Sequence, residues 1–542
     1  MRTLFAKTFR LLVPFLWKNR ASRIATVTTI GLTLTDTLAH IVELRLFGYI
    51  FDHCKEFSLS STLTFIALLI FLWHACTTLP YFRQVSFFPV LNQAARDIRL
   101  RVVTHLHQVP IQTWENYNKP EIISASTRVS QSVRDFMEAL FVEIIPALVT
   151  LVTSSIALLH FNYQIWYFPL LMLCTYFWAY GSINRFLQSR RQAWENSDQV
   201  YTAMNDSLQS ARFAQFHLAE EKRRLSHNFD AEAREWRRNN FLQYWTHIVQ
   251  DTLFFLLAGG LLVHMIMLFR ADLLSLAQLF AIKNYIWRMH NKMRRVTTHS
   301  RILLTSLIDL KKVLELLDLP IRKAATSLSH TPRDTPDKPI LQLNDVSFSY
   351  AGQPGLFGKR ISLDIWSGEH LAILGPSGTG KSTLCHLLAG LYTPQQGEVL
   401  LSGIPMNQLS LTDIGRYVHF VDQEANLING TILDNLGAEP TAMQTMPLAH
   451  LKDRLEEPAG DGGKRLSRGE KQRVLLARCL SYKPEVLILD ETLSALDEAS
   501  AQSLLQLVLK SVPTVILVTH RESLVQSFKH IYRLEAGQPP ST

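Results

Sequence analysis

Leu371 to Thr383 reads LAILGPSGTGKST: a short apolar run, a glycine-rich loop, then Lys381, Ser382 and Thr383 opening an apolar helical pattern. Gly375, four intervening residues, Gly380, Lys381 and Ser382 have the spacing of a phosphate-binding loop. Such a loop turns successive backbone N–H groups inward around α- and β-phosphates, which makes Gly375, Ser377, Gly378 and Gly380 candidate contacts. The helix that starts near Lys381 and includes Thr383 points its positive end at the same phosphates. Lys381 can reach the β/γ-phosphates, and the Ser382 hydroxyl can ligate Mg²⁺.

Further along lie groups that could finish the chemistry. VLILD (Val486–Asp490) is a fully apolar strand ending in an acid, with Glu491 next. In an α/β sheet the carboxyl end of a strand faces the ligand crevice, so Asp490 can hold Mg²⁺. Glu491 can accept a proton from an attacking water. TVILVTH (Thr514–His520) is a second buried strand that delivers His520 to the same edge, within reach of a γ-phosphate. Gln423, after RYVHFVDQ, can orient water and sense Mg²⁺. Tyr350 closes ILQLNDVSFSY and can stack on adenine. Singly, each has a plainer reading: a turn, a capping acid, a buried histidine, a loop amide, a packing ring. Their order around one phosphate loop points to hydrolysis of ATP with Mg²⁺.

These groups need a sheet with helices to position them, and the second half of the chain supplies one. The first half is different. The chain has 542 residues, net charge +9 and 47% hydrophobic residues, the last concentrated in the first three hundred. A basic balance beside apolar spans reads as loops facing an anionic leaflet rather than as nucleic-acid binding. Five scattered cysteines (Cys54, Cys76, Cys174, Cys385 and Cys479) imply neither a disulfide framework nor a zinc site. The acid-free start (Arg2, Lys7, Arg10) admits a mitochondrial transit segment, but Leu4–Trp17 reads better as an amphipathic helix lying on a membrane.

Six apolar spans follow, at about 24–51, 61–94, 136–161, 164–186, 246–270 and 274–298. Arginines and lysines fill the N-terminus and the loops after the second and fourth spans. The alternate loops, near Cys54–Ser58, Asn162–Tyr163 and Arg270–Asp272, are short and nearly uncharged. Both termini and the two long loops are therefore expected in the cytoplasm. The long loops keep helical periodicity and read as membrane helices continuing outward, with crossing tips near Pro110–Tyr117 and Asn205–Arg212. Asp36, His40 and Glu43 share a face of the first span. Arg83, His247, Asp251, Lys283 and Arg288 lie in later ones. Such charges line a polar or anionic substrate path, pair between helices, or lie outside the bilayer where the helices overshoot it. His105 and His107 read as helix surface.

LSRGEKQR (Leu466–Arg473) precedes an Ala/Leu-rich helix, and here the chain resembles the ATP-binding cassette (ABC) transporters. Leu466–Glu470 is similar to that family's signature, with Ser467 and Gly469 as its nucleotide contacts. Tyr350, Gln423, SALD (Ser494–Asp497) and His520 resemble its adenine-stacking residue, Q-loop, D-loop and switch histidine. The resemblance implies that one subunit's signature caps ATP held by the other's phosphate loop, so the working unit is a dimer: a second copy of the chain, or a related half-transporter. Arg468 and Glu470 stand where Gly and Gln are usual, and ETLSALD replaces EATSALD. The chain ends at Thr542 without the family's usual C-terminal helices, which is expected to loosen the dimer between ATP cycles.

The expected fold is an all-α six-helix transmembrane domain (1–319), a linker (320–339) and an α/β P-loop nucleotide-binding domain (340–542). That order resembles the B-type exporters. Phe9–Asn19 and Arg190–Phe216 resemble their mitochondrial-type branch, which implies glutathione-linked or other polar cargo. His247 and Gln250 fall where that branch carries an Asn and a Gln facing glutathione; Gln250 matches and His247 does not. Alternatives are a lipid or multidrug flippase of the same fold, and an ATP-gated regulatory membrane protein. The membrane expected is a bacterial inner membrane with the cassette in the cytoplasm, the mitochondrial inner membrane being the alternative.

Overall fold

The computed structural model describes residues 2–53, 56–114, 119–161, 167–181, 183–322, 338–350, 360–423, 425–436 and 449–534. The loop at Asn162–Tyr163 and most of the expected linker lie outside these residues. The chain divides into two compact units: 1–106 with 117–319, and 107–116 with 320–542.

The first unit is helical. It contains α1 (Arg2–Leu12), α2 (Arg20–His53), α3 (Leu59–Gln108, continuing into the second unit), α5 (Lys119–Met137), α6 (Ile145–Phe161), α7 (Tyr167–Gly181), α8 (Ile183–Gln209), α9 (Ala211–Phe216), α10 (Leu218–Arg270) and α11 (Leu276–Leu317). A π-helical turn, Glu138–Ile144, joins α5 to α6. The short α4 (Ile111–Trp114) belongs to the second unit. At 1.5 Å per residue, the 50 residues of α3 and the 53 of α10 run about 75–80 Å, more than twice a hydrocarbon core. That length is why the long loops are helical extensions. Among the described residues, Leu59–Gln108, Ser126–Ile156 and Leu218–Arg270 are long and apolar enough to cross a membrane. The helices α2, rich in threonine, and α11, which carries Lys283, Arg288 and Lys292, fall outside that group.

Ser275 starts α11 with a capping box to Gln278, and α11 packs against α2, α5, α6 and the π turn. Leu158, Phe168, Met265, Ile282 and Met289 join α6, α7, α10 and α11 in one apolar cluster. The apolar stripe of α1 packs on protein: Phe5 lies 5.9 Å from Phe136, and Phe9 lies 6.4 Å from Phe141. Several of the charges in the spans pair between helices. Asp36 faces Arg83 and Lys292, Glu43 faces Arg288, Glu143 faces Arg295, and Asp251 faces His290 and Arg294. The Nε2–H of His105 donates to the Leu319 carbonyl at 3.1 Å. One expectation needs correcting. The second tip lies not at 205–212 but at Ala211–Phe216, because Asn205, Asp206 and Ser207 stay helical. The backbone leaves helical geometry only at Ser210 and His217.

The second unit is a two-sheet α/β domain. An antiparallel sheet has the order β2-β1-β4-β5: β1 Leu341–Ser347, β2 Ile361–Ile365, β4 Gln396–Leu401 and β5 Ile404–Pro405. A parallel sheet has the order β6-β7-β8-β3-β9: β3 His370–Leu374, β6 Val418–Val421, β7 Val486–Asp490, β8 Thr514–Val518 and β9 His530–Arg533. Its helices include α12 (Lys381–Leu388), α13 (Leu411–Ile414), α14 (Ile432–Leu436), α15 (Arg468–Ser481), α16 (Glu498–Ser511) and α17 (Glu522–Val525). Every residue of β7 and β8 is buried, as expected of strands covered on both faces. Residues 107–116 join this unit: the Thr393 N–H donates to Gln112 Oε1 at 3.5 Å.

Candidate functional site

The parallel sheet brings the candidate residues to one edge. Asp490 pairs in register with Val518, so Glu491 and His520 emerge side by side. The strand β3 lies on the other side of β8 and feeds the phosphate loop, and β6 lies beside β7 and feeds Gln423. The loop closes onto α12 through Gly380, whose φ of 95° is left-handed and suits glycine. At Gly375 a Cβ would meet the Leu534 carbonyl oxygen at 2.6 Å. Lys381 is buried, and its Nζ donates to the carbonyls of Gly375 (2.9 Å) and Pro376 (2.8 Å), which folds it over the loop. Ser377 and Gly378 lie in the loop and Ser382 and Thr383 on the first turn of α12.

Glu491 is held at φ 47°, an uncommon conformation for a non-glycine residue and a frequent mark of a functional position. One carboxylate oxygen lies 2.6 Å from His520 Nε2, and the other accepts from Gln423 Nε2 at 3.0 Å. Asp490 is 2% exposed. Burial, then the neighbouring Glu491 and Asp422, push its carboxyl above the usual range, against a hydrogen bond from Ser382. Ser382, Asp490 and Gln423 together offer hard oxygen donors, and a buried, destabilised carboxylate is what Mg²⁺ would relieve, so these residues fit that ion. Tyr350 lies three residues beyond β1. Its hydroxyl is 2.9 Å from Thr383 Oγ1, and its ring stands edge-on to Phe348 and Tyr392 beside the loop.

The signature opens α15. Ser467 is its N-cap, and Glu470 closes a capping box: Ser467 N–H donates to Glu470 Oε2 at 2.7 Å, and Glu470 N–H donates to Ser467 Oγ at 3.2 Å. Glu470 also pairs with Arg454 at 2.7 Å. These bonds, first to Ser467 and then to Arg454, hold its carboxyl below the usual range. The acid in place of the usual amide is thus accommodated by Arg454, which no sequence motif announces. Gly469 packs under the D-loop, where a Cβ would stand 3.0 Å from Leu496. Sequence reasoning also missed Arg521, which donates to the carbonyls of Ser494 and Leu496 at 2.8 Å and fastens the D-loop. Its place next to His520 was the only signal. Thr492 donates to the Val421 carbonyl and ties β7 to β6.

In the helical unit, Gln250 on α10 is buried, and neither its Oε1 nor the Nδ1 of His247 has a hydrogen-bond partner. The next residue, Asp251, meets His290 at 3.2 Å.

A phosphate loop, a strand-end acid pair, a histidine and a capped signature on one cassette, in the same chain as a bundle of long apolar helices, define an ATP-driven membrane transporter. The chain belongs to the ABC transporters: residues 26–289 match the family's transmembrane region and residues 358–494 its ATP-binding domain. It is similar to ABC transporter B family member 6 of Dictyostelium discoideum, 25% identical over 98% of this chain and 83% of the relative. It is also 25% identical to an ATM1-type heavy metal exporter of Novosphingobium aromaticivorans, over 84% of this chain and 78% of the relative. A bacterial Atm1-family ABC exporter solved with ATP bound superposes with a TM-score of 0.86, covering 96% of this chain and 94% of that one at 21% identity. The chain is a membrane-spanning half-transporter of the B-family exporter type, a class that works as a dimer.

Proposed function

We propose that this protein is a homodimeric exporter in which Glu491 is the general base of ATP hydrolysis and the cargo is a glutathione-linked or similar polar compound. The observation that carries the hydrolytic role is the carboxylate of Glu491 gripped between Gln423 and His520, directly after the buried Asp490. Lys381 and the loop amides bind the β/γ-phosphates, and Tyr350 stacks on adenine. Ser382, Asp490 and Gln423 hold Mg²⁺, which supplies charge neutralisation on the transferred phosphoryl group. Glu491 takes the proton of the attacking water, His520 contacts the γ-phosphate, and Ser467 and Gly469 of the second copy cap the nucleotide. ATP-driven closure and reopening of the two cassettes then alternates the access of the membrane cavity.

The substrate reading rests on Gln250 and His247. A buried polar atom without a partner costs about 1–3 kcal/mol, which a peptide-like cargo would offset. Its test is ATPase activity in nanodiscs against oxidised glutathione, glutathione–metal adducts, lipid, peptide and hydrophobic drugs. Stimulation by the glutathione compounds that is lost in Gln250→Ala supports the reading; stimulation that persists unchanged refutes it. A second reading, a lipid or drug flippase, is favoured by a cavity of about 380 Å³ between α10 and α11, lined by Phe254, Phe255, Leu262, Ile286 and Trp287 with Lys283. Stimulation by lipid or drugs alone selects it. We place the protein in a bacterial inner membrane with the cassette in the cytoplasm.

A further inference from the structure

We propose that the membrane half carries a binding site for a thiophilic divalent cation of the Zn²⁺/Cd²⁺ class, built from Cys76, His40 and Glu43 and oriented by Asp36. Asp36, His40 and Glu43 recur at i, i+4 and i+7 on α2, which puts them on one face. Cys76 of α3 faces them. Its Sγ is 3.5 Å from Glu43 Oε2, and His40 Nδ1 is 3.4 Å from the same oxygen. The ligand atoms of Asp36, His40 and Cys76 all lie within 4.8 Å of one another. In a tetrahedral zinc site, bonds of about 2.0–2.3 Å put neighbouring N, O and S ligands about 3.4–3.6 Å apart. The two edges that meet at Glu43 Oε2 already have that length.

The outer contacts fit as well. A metal-bound imidazole ordinarily gives its other N–H to a carboxylate, which fixes tautomer and ring. His40 Nε2 stands 3.2 Å from Asp36 Oδ1, on a carboxylate that is itself 1% exposed. Thiolate, imidazole and carboxylate together select a borderline-soft ion rather than Mg²⁺ or Ca²⁺. Helix pairing accounts for Asp36 with Arg83 and Lys292, and for Glu43 with Arg288. It does not account for a buried thiol set at the shared edge of an imidazole and a carboxylate. As the sulfur–metal bond forms, the Cys76 thiol gives up its proton to solvent, so a divalent ion adds one net positive charge to the cluster. Arg288 touches the same Glu43 oxygen and is the group with which the ion competes.

The inference is independent of the proposed cargo and of ATP hydrolysis, and the test keeps them apart. Full-length protein in nanodiscs is titrated with Co²⁺, whose thiolate charge-transfer absorption reports a Co–S bond, and bound Zn²⁺ and Cd²⁺ are counted by mass spectrometry. One ion per chain is expected, with the band retained when Cys54, Cys174, Cys385 and Cys479 are all serine and retained in Glu491→Gln. Binding weakens at least about 100-fold in Cys76→Ser and in His40→Ala, each checked for a monodisperse elution profile, and tightens in Arg288→Gln. Absence of the band in the unaltered protein, or its persistence in Cys76→Ser, overturns the site. So does weaker binding in Arg288→Gln.

Discussion

Arg322, in the stretch that sequence assigns to the linker, should be a fastener of the cassette. Its guanidinium donates to the carbonyls of Gly390 and Met406, both buried residues, while its backbone N–H donates to Gln108 at the first tip. Gly390 ends the turn that closes α12, the helix whose other end is Lys381 and Ser382. Replacing Arg322 with Ala removes two charge-assisted hydrogen bonds and strands two buried acceptors. Each such bond is worth about 1.5–3 kcal/mol, and the two share one donor group, so the local loss should be about 3 kcal/mol. Amides around 390–392 and 409, which hydrogen-bond within these turns, should then exchange with solvent about 100-fold faster. Arg322→Lys, with one compact donor group in place of a fork, should recover about half of that free energy. Hydrogen exchange followed by mass spectrometry on full-length protein reads the effect. Protection unchanged within about threefold in Arg322→Ala would refute the reasoning.

Other consequences follow from the same geometry. Because the Asp490 carboxyl is pushed above the ordinary value, its ionised form burdens the nucleotide-free cassette increasingly as pH rises. Asp490→Asn should therefore make that state more heat-resistant at neutral pH while abolishing the extra stabilisation by Mg²⁺ and ATP, as thermal unfolding with and without nucleotide will report. The Glu470 carboxyl is shifted the other way, so its contribution is present at neutral pH and fades as acid protonates it. Glu470→Gln should flatten that part of the acid sensitivity, and Ser467→Ala should cost about 1 kcal/mol at the α15 cap, both measurable by exchange of the α15 amides. Gly375→Ala drives a Cβ into the Leu534 carbonyl and should cost about 1–3 kcal/mol and weaken ATP binding, as titration with a fluorescent nucleotide will show.

The cassette was the legible half. Its phosphate loop, its two apolar strands and its signature are local patterns, and a parallel sheet with βα crossovers leaves few ways to assemble them. The helices of the first half were legible from apolar runs, α2 and α11 among them although neither is apolar enough to count as a span by composition. What escaped was set by contacts between distant parts of the chain. Cys76 reads as an isolated cysteine until α3 lays it against Asp36 and His40. Arg454 belongs to no motif and is tied to the signature only through Glu470, and Arg322 reads as linker until it meets Gly390. The second tip was misjudged by several residues for a different reason: polar residues are weak helix breakers, and α8 runs through Asn205 to Ser207 without a turn.

The most direct measurement is single-turnover ATP hydrolysis by Glu491→Gln in nanodiscs, with nucleotide retention and cassette association followed in parallel. With Glu491 as the base, hydrolysis should fall by at least about 100-fold, ATP should remain bound, and the paired cassettes should persist in the ATP-loaded state. Hydrolysis within about threefold of the unaltered protein would contradict the account at its centre.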